Sequence, residues 1–213
     1  MTSQRAYWDR AAAVKEFTHP LDGGWITQTL GRDARILDYG CGYGRTLNDL
    51  ASLGFTNAVG VDFAPRMVAR GRREFPALDL RHAPGLPLAE ADAGFDAVLL
   101  LAVLTCIPDD REQEALLGEV RRLLRPGGML YVSDMPLQPD ARNRARYAKA
   151  EPRFGTYGVF ETEDGAVVRH HTDARLDALL DGFERVAARD VQLSTMNGHP
   201  ARAVQILARR LGA

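Results

Sequence analysis

The sequence predicts an α/β protein with a doubly wound, Rossmann-like sheet. Three observations carry that reading. Short apolar runs alternate with helical patterns between Ala34 and Met135, the rhythm of βαβ units whose right-handed crossovers put helices on both faces of a parallel sheet. A glycine-rich turn follows the first apolar run directly, where open α/β sheets hold ligands beyond the carboxyl ends of their strands. The chain has 213 residues, 46% hydrophobic and 26% charged, which suits one domain with its own core and excludes a disordered chain.

The elements follow in order. Residues 1–32 read as an N-terminal helical cap. Ala34–Tyr39 is a short apolar strand running into glycines, and Arg45–Leu53 a helix stopped by Gly54. Ala58–Phe63 is a second strand, and Pro65–Glu74 a helix with proline in its first turn. Leu78–Ala83 gives a short third strand. Phe95–Leu104 is long, apolar and bounded by polar residues, as a strand buried on both faces should be. Asp110–Leu124 repeats apolar residues at helical spacing until Pro126-Gly127-Gly128 ends it, and Met129–Met135 is a fifth strand. Residues 137–172 break the rhythm and read as a lid or substrate insertion. There Arg142, Arg146, Lys149 and Arg153 recur on one helix face, and residues 155–171 form a hairpin turning at Glu163–Gly165. A solvated face is the simpler reading of the four cations, and a lid meeting an anionic acceptor the sharper one. Thr172–Gly182 is a last helix capped by Thr172 or Asp173, and Arg185–Leu193 with Ala201–Arg209 form an antiparallel edge hairpin. Residues 33–136 then hold the ligand half of a single domain, and 173–213 complete the sheet.

The 27 basic and 28 acidic side chains leave a net charge of −1, so no global basic field exists to hold nucleic acid. No apolar run approaches the length that spans a bilayer, and the first residues lack the apolar core of a signal peptide. Cys41 and Cys106 form no metal-binding pattern and read as free thiols. The expectation is a cytoplasmic protein, monomer or homodimer, with no membrane, nucleic-acid or metal partner.

The strongest local signal is Leu37-Asp38-Tyr39-Gly40-Cys41-Gly42-Tyr43-Gly44-Arg45-Thr46. Gly40, Gly42 and Gly44 allow a tight turn and close approach of a ligand to the backbone. Asp62 ends the next strand, where a carboxylate accepts hydrogen bonds from both hydroxyls of a ribose. Together they imply a bound adenine nucleoside. The spacing is GxGxG rather than the GxGxxG of a pyrophosphate site, and Asp38 would repel phosphates but favour an ammonium group.

These residues resemble the class I S-adenosylmethionine-dependent methyltransferases of small-molecule type. LDYGCGYGRT is similar to their first motif and VGVDFAPRM to their second. LPLAEADAGFDAVLLLAVLTCI resembles the segment through strand four, and LLRPGGMLYVSD the turn into strand five. The four lie in register over residues 33–136. The resemblance implies a seven-stranded, mostly parallel sheet with an antiparallel C-terminal hairpin. It also implies S-adenosyl-L-methionine as cofactor, released as S-adenosyl-L-homocysteine. Carried over by position, Asp38, Gly40, Cys41, Gly42 and Gly44 serve the methionine and ribose parts. Asp62 takes the ribose hydroxyls, Phe63 and Met67 lie near the adenine, and Leu101 adds to the pocket. The family's usual Asp-Ala pair before strand four is His82-Ala83 here, so His82 either accepts from the adenine amino group with a ring nitrogen or leaves that contact to the backbone. Tyr7 and Trp8 either cover the sulfonium, whose charge aromatic faces attract, or pack from a helix on the sheet edge.

The acceptor side is expected from the segments where these motifs fall silent. His19, Thr105, Cys106, Arg146, Tyr147, Met196 and Asn197 are candidate pocket residues. Asp134, Tyr157, His170 and His171 are candidate catalytic residues. Strand alternation allows only one of the two histidines to face inward, and His170, in phase with Ala166 and Val168, is preferred as general base. The function implied is methyl transfer to an oxygen or nitrogen of a small metabolite or natural-product intermediate. A lyase, cyclase or binding module of the same fold would carry the same cofactor motifs. A nicotinamide-dependent oxidoreductase is disfavoured by Asp38 and by the glycine spacing.

Overall fold

The computed structural model describes residues 2–212. Its strands are Ile36–Tyr39 (β1), Ala58–Asp62 (β2), Asp79–His82 (β3), Phe95–Leu101 (β4), Leu124–Asp134 (β5), Val159–Glu161 (β6), Val167–Arg169 (β7), Phe183–Ser194 (β8) and Pro200–Arg210 (β9). Seven form one sheet in the order β3-β2-β1-β4-β5-β9-β8, and β6 pairs with β7 apart from it. Strands β1 to β5 are parallel. Strand β9 runs antiparallel between β5 and β8. The helices are Thr2–Ala11 (α1), Gly23–Thr29 (α2), Arg45–Ser52 (α3), Pro65–Glu74 (α4), Asp110–Leu123 (α5), Ala141–Phe154 (α6) and Asp173–Leu179 (α7).

Burial follows from the layered arrangement. In β4, Phe95, Ala97, Val98, Leu99 and Leu100 are all buried, because helices cover both faces. On one face Leu116, Leu117, Val120 and Leu123 of α5 pack with Leu176 and Leu179 of α7. On the other, Ile26 of α2 and Leu50 of α3 meet Ile36, Leu99 and Tyr131. Caps fix the helix starts. Asp109 accepts from the Glu112 N–H at 3.0 Å, Asp140 from Asn143 at 3.0 Å and Thr172 from Arg175 at 3.1 Å.

Several boundaries differ from the sequence reading, two of them through a change of local structure. Strand β4 stops at Leu101, not Leu104. Ala102 turns left-handed (φ 56°), and Leu104–Cys106 forms a 3₁₀ turn. There the Thr105 N–H bonds to the Asp134 carboxylate at 3.2 Å instead of a neighbouring strand. Strand β5 starts five residues early, at Leu124 rather than Met129, because the chain around Gly127 stays paired across a bulge, with Phe95 opposite Leu124 and Ala97 opposite Met129.

Helix α4 sets the height of the glycine turn. A Cβ on Gly71 would meet the Tyr43 carbonyl oxygen at 2.6 Å and Leu80 Cδ1 at 2.5 Å. Gly71→Ala is therefore expected to cost about 1–3 kcal/mol by overpacking. At roughly 2–4 °C per kcal/mol for a chain of this size, a thermal melt reads it. An unchanged midpoint would mean that α4 does not bear on the turn.

Candidate active site

The turn after β1 is built by backbone conformations that suit glycine. Gly40, Gly42 and Gly44 have φ of 73°, 55° and 88°. The Gly40 and Cys41 N–H groups both donate to the Val61 carbonyl, at 2.8 and 3.0 Å, folding the turn onto the end of β2. There the Asp62 carboxylate accepts the Gly42 N–H at 2.9 Å and the Ala64 N–H at 2.8 Å. Burial pushes the Asp62 pKa up to about 6, and the two N–H donors oppose that rise. Asp38, on β1, is buried and its Oδ2 has no hydrogen-bond partner. Burial pushes its pKa up to about 8, against the pull of the Arg45 guanidinium.

Above the carboxyl ends of β1, β2, β4 and β5 lies a cavity of about 1230 Å³. Asp38, Gly40, Cys41, Asp62, Phe63, Met67, Ala83 and Leu101 line one end. Tyr7, Trp8 and His19 of the N-terminal segment line it too, as do Thr105, Cys106, Met196 and Asn197. Arg146 and His170 line it from the insertion. The aromatic wall is continuous: Trp8 meets Tyr7 edge-on at 5.0 Å and Phe17 at 6.2 Å, and Phe17 lies 5.2 Å from Tyr43.

Asp164, at the tip of the β6–β7 hairpin, joins three segments around the cavity. It accepts from the Tyr7 hydroxyl at 2.9 Å, pairs with Lys15 at 2.6 Å, and takes the Asn197 amide at 3.4 Å. These donors and the Thr162 hydroxyl hold its carboxyl below the usual range despite partial burial. The base of the hairpin is held by Thr105 Oγ1, which donates to the Arg169 carbonyl at 2.7 Å, and by the Arg169–Asp110 ion pair at 2.7 Å.

Several expected site residues lie elsewhere. Gly42 and Gly44 shape the turn without lining the cavity. A Cβ on Gly42 would sit 1.9 Å from the Phe17 ring, which covers it, and Gly44 caps α3 over Leu80. His82 is exposed on the edge strand β3 and points outside the cavity, while Ala83 reaches it. Asp134 is fully buried below the cavity, its oxygens taken by the Thr105 and Met135 N–H groups, and burial pushes its pKa up to about 7. Tyr157 is 38% exposed and packs on Tyr147 from outside. Tyr147 is fully buried behind the wall, not on it.

The two histidines that follow β7 diverge as the alternation of an extended chain requires. His171 turns toward α5. Gln113 Oε1 accepts from Arg175 Nε at 3.2 Å, so the amide nitrogen of Gln113 faces His171 Nε2 at 2.8 Å. That nitrogen must accept, and the proton sits on Nδ1, 3.5 Å from Asp134 Oδ1. His171 is thus a buried link between strand and helix and has no face on the cavity. His170 lines the cavity, with Nδ1 2.5 Å from the Tyr147 hydroxyl. That hydroxyl oxygen accepts the Gln138 N–H at 3.2 Å, and we assign its own proton to the bond with Nδ1. The remaining nitrogen, Nε2, then carries a proton. Burial and the nearby Arg146 hold the ring's pKa down at about 3. In this arrangement His170 offers the cavity an N–H donor rather than the lone pair of a general base. His19 is held neutral in the same way, at about 4, with Nδ1 3.0 Å from the Ser133 hydroxyl.

The insertion also supplies residues that sequence reasoning left out. Asn143, Phe160 and Gln138 line the cavity. The four cations named from the sequence stand at its rim, with Arg146 half-buried and Arg142, Lys149 and Arg153 exposed to solvent. Their helical spacing was visible, but the docking angle of α6 was not. Among the described residues no three His, Cys, Asp or Glu side chains converge as a metal site would need, and no helix is long and apolar enough to cross a membrane.

A parallel sheet with a glycine turn after β1, an acid at the end of β2 and a cavity over both defines a nucleoside-binding α/β protein. A family model described as a methyltransferase domain matches residues 36–128. The chain is 32% identical over 160 residues to a "probable S-adenosylmethionine-dependent methyltransferase" of Mycolicibacterium smegmatis, covering 70% of this chain and 60% of that protein. It is 32% identical over 143 residues to a ubiquinone biosynthesis O-methyltransferase of Pseudomonas aeruginosa, covering 63% and 60%. The chain thus spans about 60% of the length of these curated relatives. A solved SAM-dependent methyltransferase of Methanosarcina mazei superposes with a TM-score of 0.83 at 26% identity, covering 89% of this chain and 98% of that one. The chain belongs to the class I S-adenosylmethionine-dependent methyltransferase family.

Proposed function

We propose that this protein transfers a methyl group from S-adenosylmethionine to an oxygen or nitrogen atom of a small molecule. The observation that carries the reading is the Asp38 carboxylate, buried at the cavity with an unpartnered oxygen. A buried carboxylate without a partner is costly, and the ammonium of an amino-acid cofactor matches it in charge and hydrogen bonding. Asp62 has lone pairs left for two ribose hydroxyls after accepting its two N–H groups. Phe63, Met67 and Ala83 offer the apolar surface an adenine ring needs, and Arg45, whose buried Nε lacks a partner, suits a carboxylate. When bound, the cofactor supplies an electrophilic methyl on a sulfonium.

The residues of the chain then have three tasks. Tyr7, Trp8 and Phe17 exclude water and offer ring faces to a cation. His19 and His170 stay uncharged at neutral pH, so no second cation opposes the sulfonium. His170, fixed by Tyr147, orients an acceptor atom through its Nε2–H, and alignment is the main demand of an in-line transfer. The name of the Pseudomonas relative supports oxygen as the atom methylated. Two free thiols fit a reducing cytoplasm, with the protein a monomer or homodimer.

The test is formation of S-adenosylhomocysteine from S-adenosylmethionine across a panel of small phenols, hydroxy acids and amines. His170→Gln is expected to lower turnover by about tenfold, the loss of one orienting hydrogen bond, while leaving cofactor-product affinity within about twofold. Wild-type turnover in that variant would reduce His170 to a packing residue.

A further inference from the structure

Resting on the methyl-transfer reading, we propose that the methyl acceptor is a carboxylic acid that also carries a hydroxyl or amine, with its carboxylate seated on Arg146. Arg146 lies on α6, lines the cavity, and its guanidinium stacks 3.6 Å from the centroid of the Phe160 ring. Stacking fixes the plane of the fork, which presents its N–H edge for two parallel bonds to a planar oxyanion. Yet the fork has no acidic partner among the described residues, and Nε is buried without any hydrogen bond. Of the other arginines that line the cavity, Arg45 pairs with Asp49 and Arg153 with Glu161, while Arg142 is exposed to solvent. Burial lowers the Arg146 pKa, and the nearby Tyr147 hydroxyl and Asp140 only partly oppose that shift.

A second unpartnered atom lies one helical turn away. Asn143 is 5% exposed and lines the cavity, and its Oδ1 is buried with no donor. The orientation of its amide is set by Nδ2, which donates to the Asp140 carboxylate at 2.5 Å. The free oxygen therefore requires a donor from the ligand, a hydroxyl or an amine. Arg142 and Lys149 line the cavity along the same face, and their charge draws an anion toward Arg146. At the cofactor end the unpartnered atoms are Asp38 Oδ2 and Arg45 Nε, which suit the ammonium and the carboxylate of an amino acid. On α6 they are Arg146 Nε and Asn143 Oδ1, which suit a carboxylate and a hydroxyl or amine.

The test uses matched probes: salicylate against salicylamide, and 4-hydroxybenzoate and 4-aminobenzoate against their primary amides. Each is titrated calorimetrically into protein saturated with S-adenosylhomocysteine, and each is assayed for turnover with S-adenosylmethionine. The expected result is that at least one acid binds tenfold or more tighter than its amide. Arg146→Gln should abolish that preference, raising KM for the acid with little change in kcat and none in S-adenosylhomocysteine affinity. Arg146→Lys should keep part of it. Unchanged S-adenosylhomocysteine affinity in Arg146→Gln also shows that the variant is folded. Equal binding of acids and amides, no binding of any acid by protein that does bind S-adenosylhomocysteine, or an acid preference that survives Arg146→Gln would overturn the proposal and leave the cofactor reading intact. Failure of the wild type to bind S-adenosylhomocysteine would count against the methyl-transfer reading itself.

Discussion

Replacing Asp62 by alanine is expected to weaken binding of S-adenosylhomocysteine by about 100-fold or more, since hydrogen bonds to a charged group each carry roughly 1.5–3 kcal/mol. The residue has two jobs in one carboxylate. Its oxygens anchor the Gly42 and Ala64 N–H groups, and it lines the cavity where a ribose would lie. Alanine leaves both N–H groups unsatisfied, so the variant should also melt several degrees lower. A ligand comparison separates the two effects. Wild-type protein should prefer adenosine to 2′,3′-dideoxyadenosine, and Asp62→Ala should not. An undiminished preference in the variant would remove Asp62 from the ribose role. Because the carboxyl titrates near 6 in the folded protein, affinity should also fall as the pH drops below 6, when the acid takes up a proton and loses accepting capacity.

Replacing Asp38 by asparagine is expected to act in opposite directions on stability and binding. Burial raises the Asp38 pKa to about 8, well above the roughly 4 of an unfolded chain. Between those values the folded chain keeps a proton that the unfolded chain has lost, so this group's stabilising contribution falls as the pH rises from 4 to 8. Asparagine does not ionise, and Asp38→Asn should stabilise the empty protein at pH 8 by about 1–3 kcal/mol. Cofactor affinity should fall by about 100-fold, because the ammonium loses its counter-charge. The wild type should release most of one proton on binding at pH 7, as the arriving ammonium ionises the acid. Titrations in buffers of different ionisation enthalpy measure that release. Binding without net proton exchange would place the ammonium away from Asp38.

Much of the fold was legible because its causes are local. Strands covered by helices on both faces show as largely apolar runs, and β1, β2 and β4 do so, each with a single aspartate as its only charged residue. The left-handed turn after β1 calls for glycine, and the sequence has glycine at each of its three bends. What lies over the cavity was less legible, because direction there is decided by docking. Asp134 ends β5 where a functional acid was expected, yet the 3₁₀ turn after β4 draws its carboxylate aside to the Thr105 N–H. Arg146 and Tyr147 are neighbours on α6, about 100° apart around the helix. One lines the cavity and the other is fully buried behind it. The spacing of Arg142, Arg146, Lys149 and Arg153 identified a helix face, and only the packing of α6 against the β6–β7 hairpin decided that it borders the cavity. Asn143 carried no signal at all, since its place one turn inside the Asp140 cap is ordinary for asparagine.

The central claim is that the end of the cavity formed by Asp38, the glycine turn and Asp62 is made for the cationic nucleoside S-adenosylmethionine and not for a pyrophosphate. The most direct measurement is a calorimetric titration of wild-type protein with S-adenosylhomocysteine and, separately, with NAD⁺ and NADP⁺. One S-adenosylhomocysteine is expected to bind per chain, with a dissociation constant on the order of micromolar, and no measurable dinucleotide binding, because the buried Asp38 offers a phosphate no counter-charge and could ionise only against it. Tight binding of a dinucleotide with none of S-adenosylhomocysteine would contradict that claim.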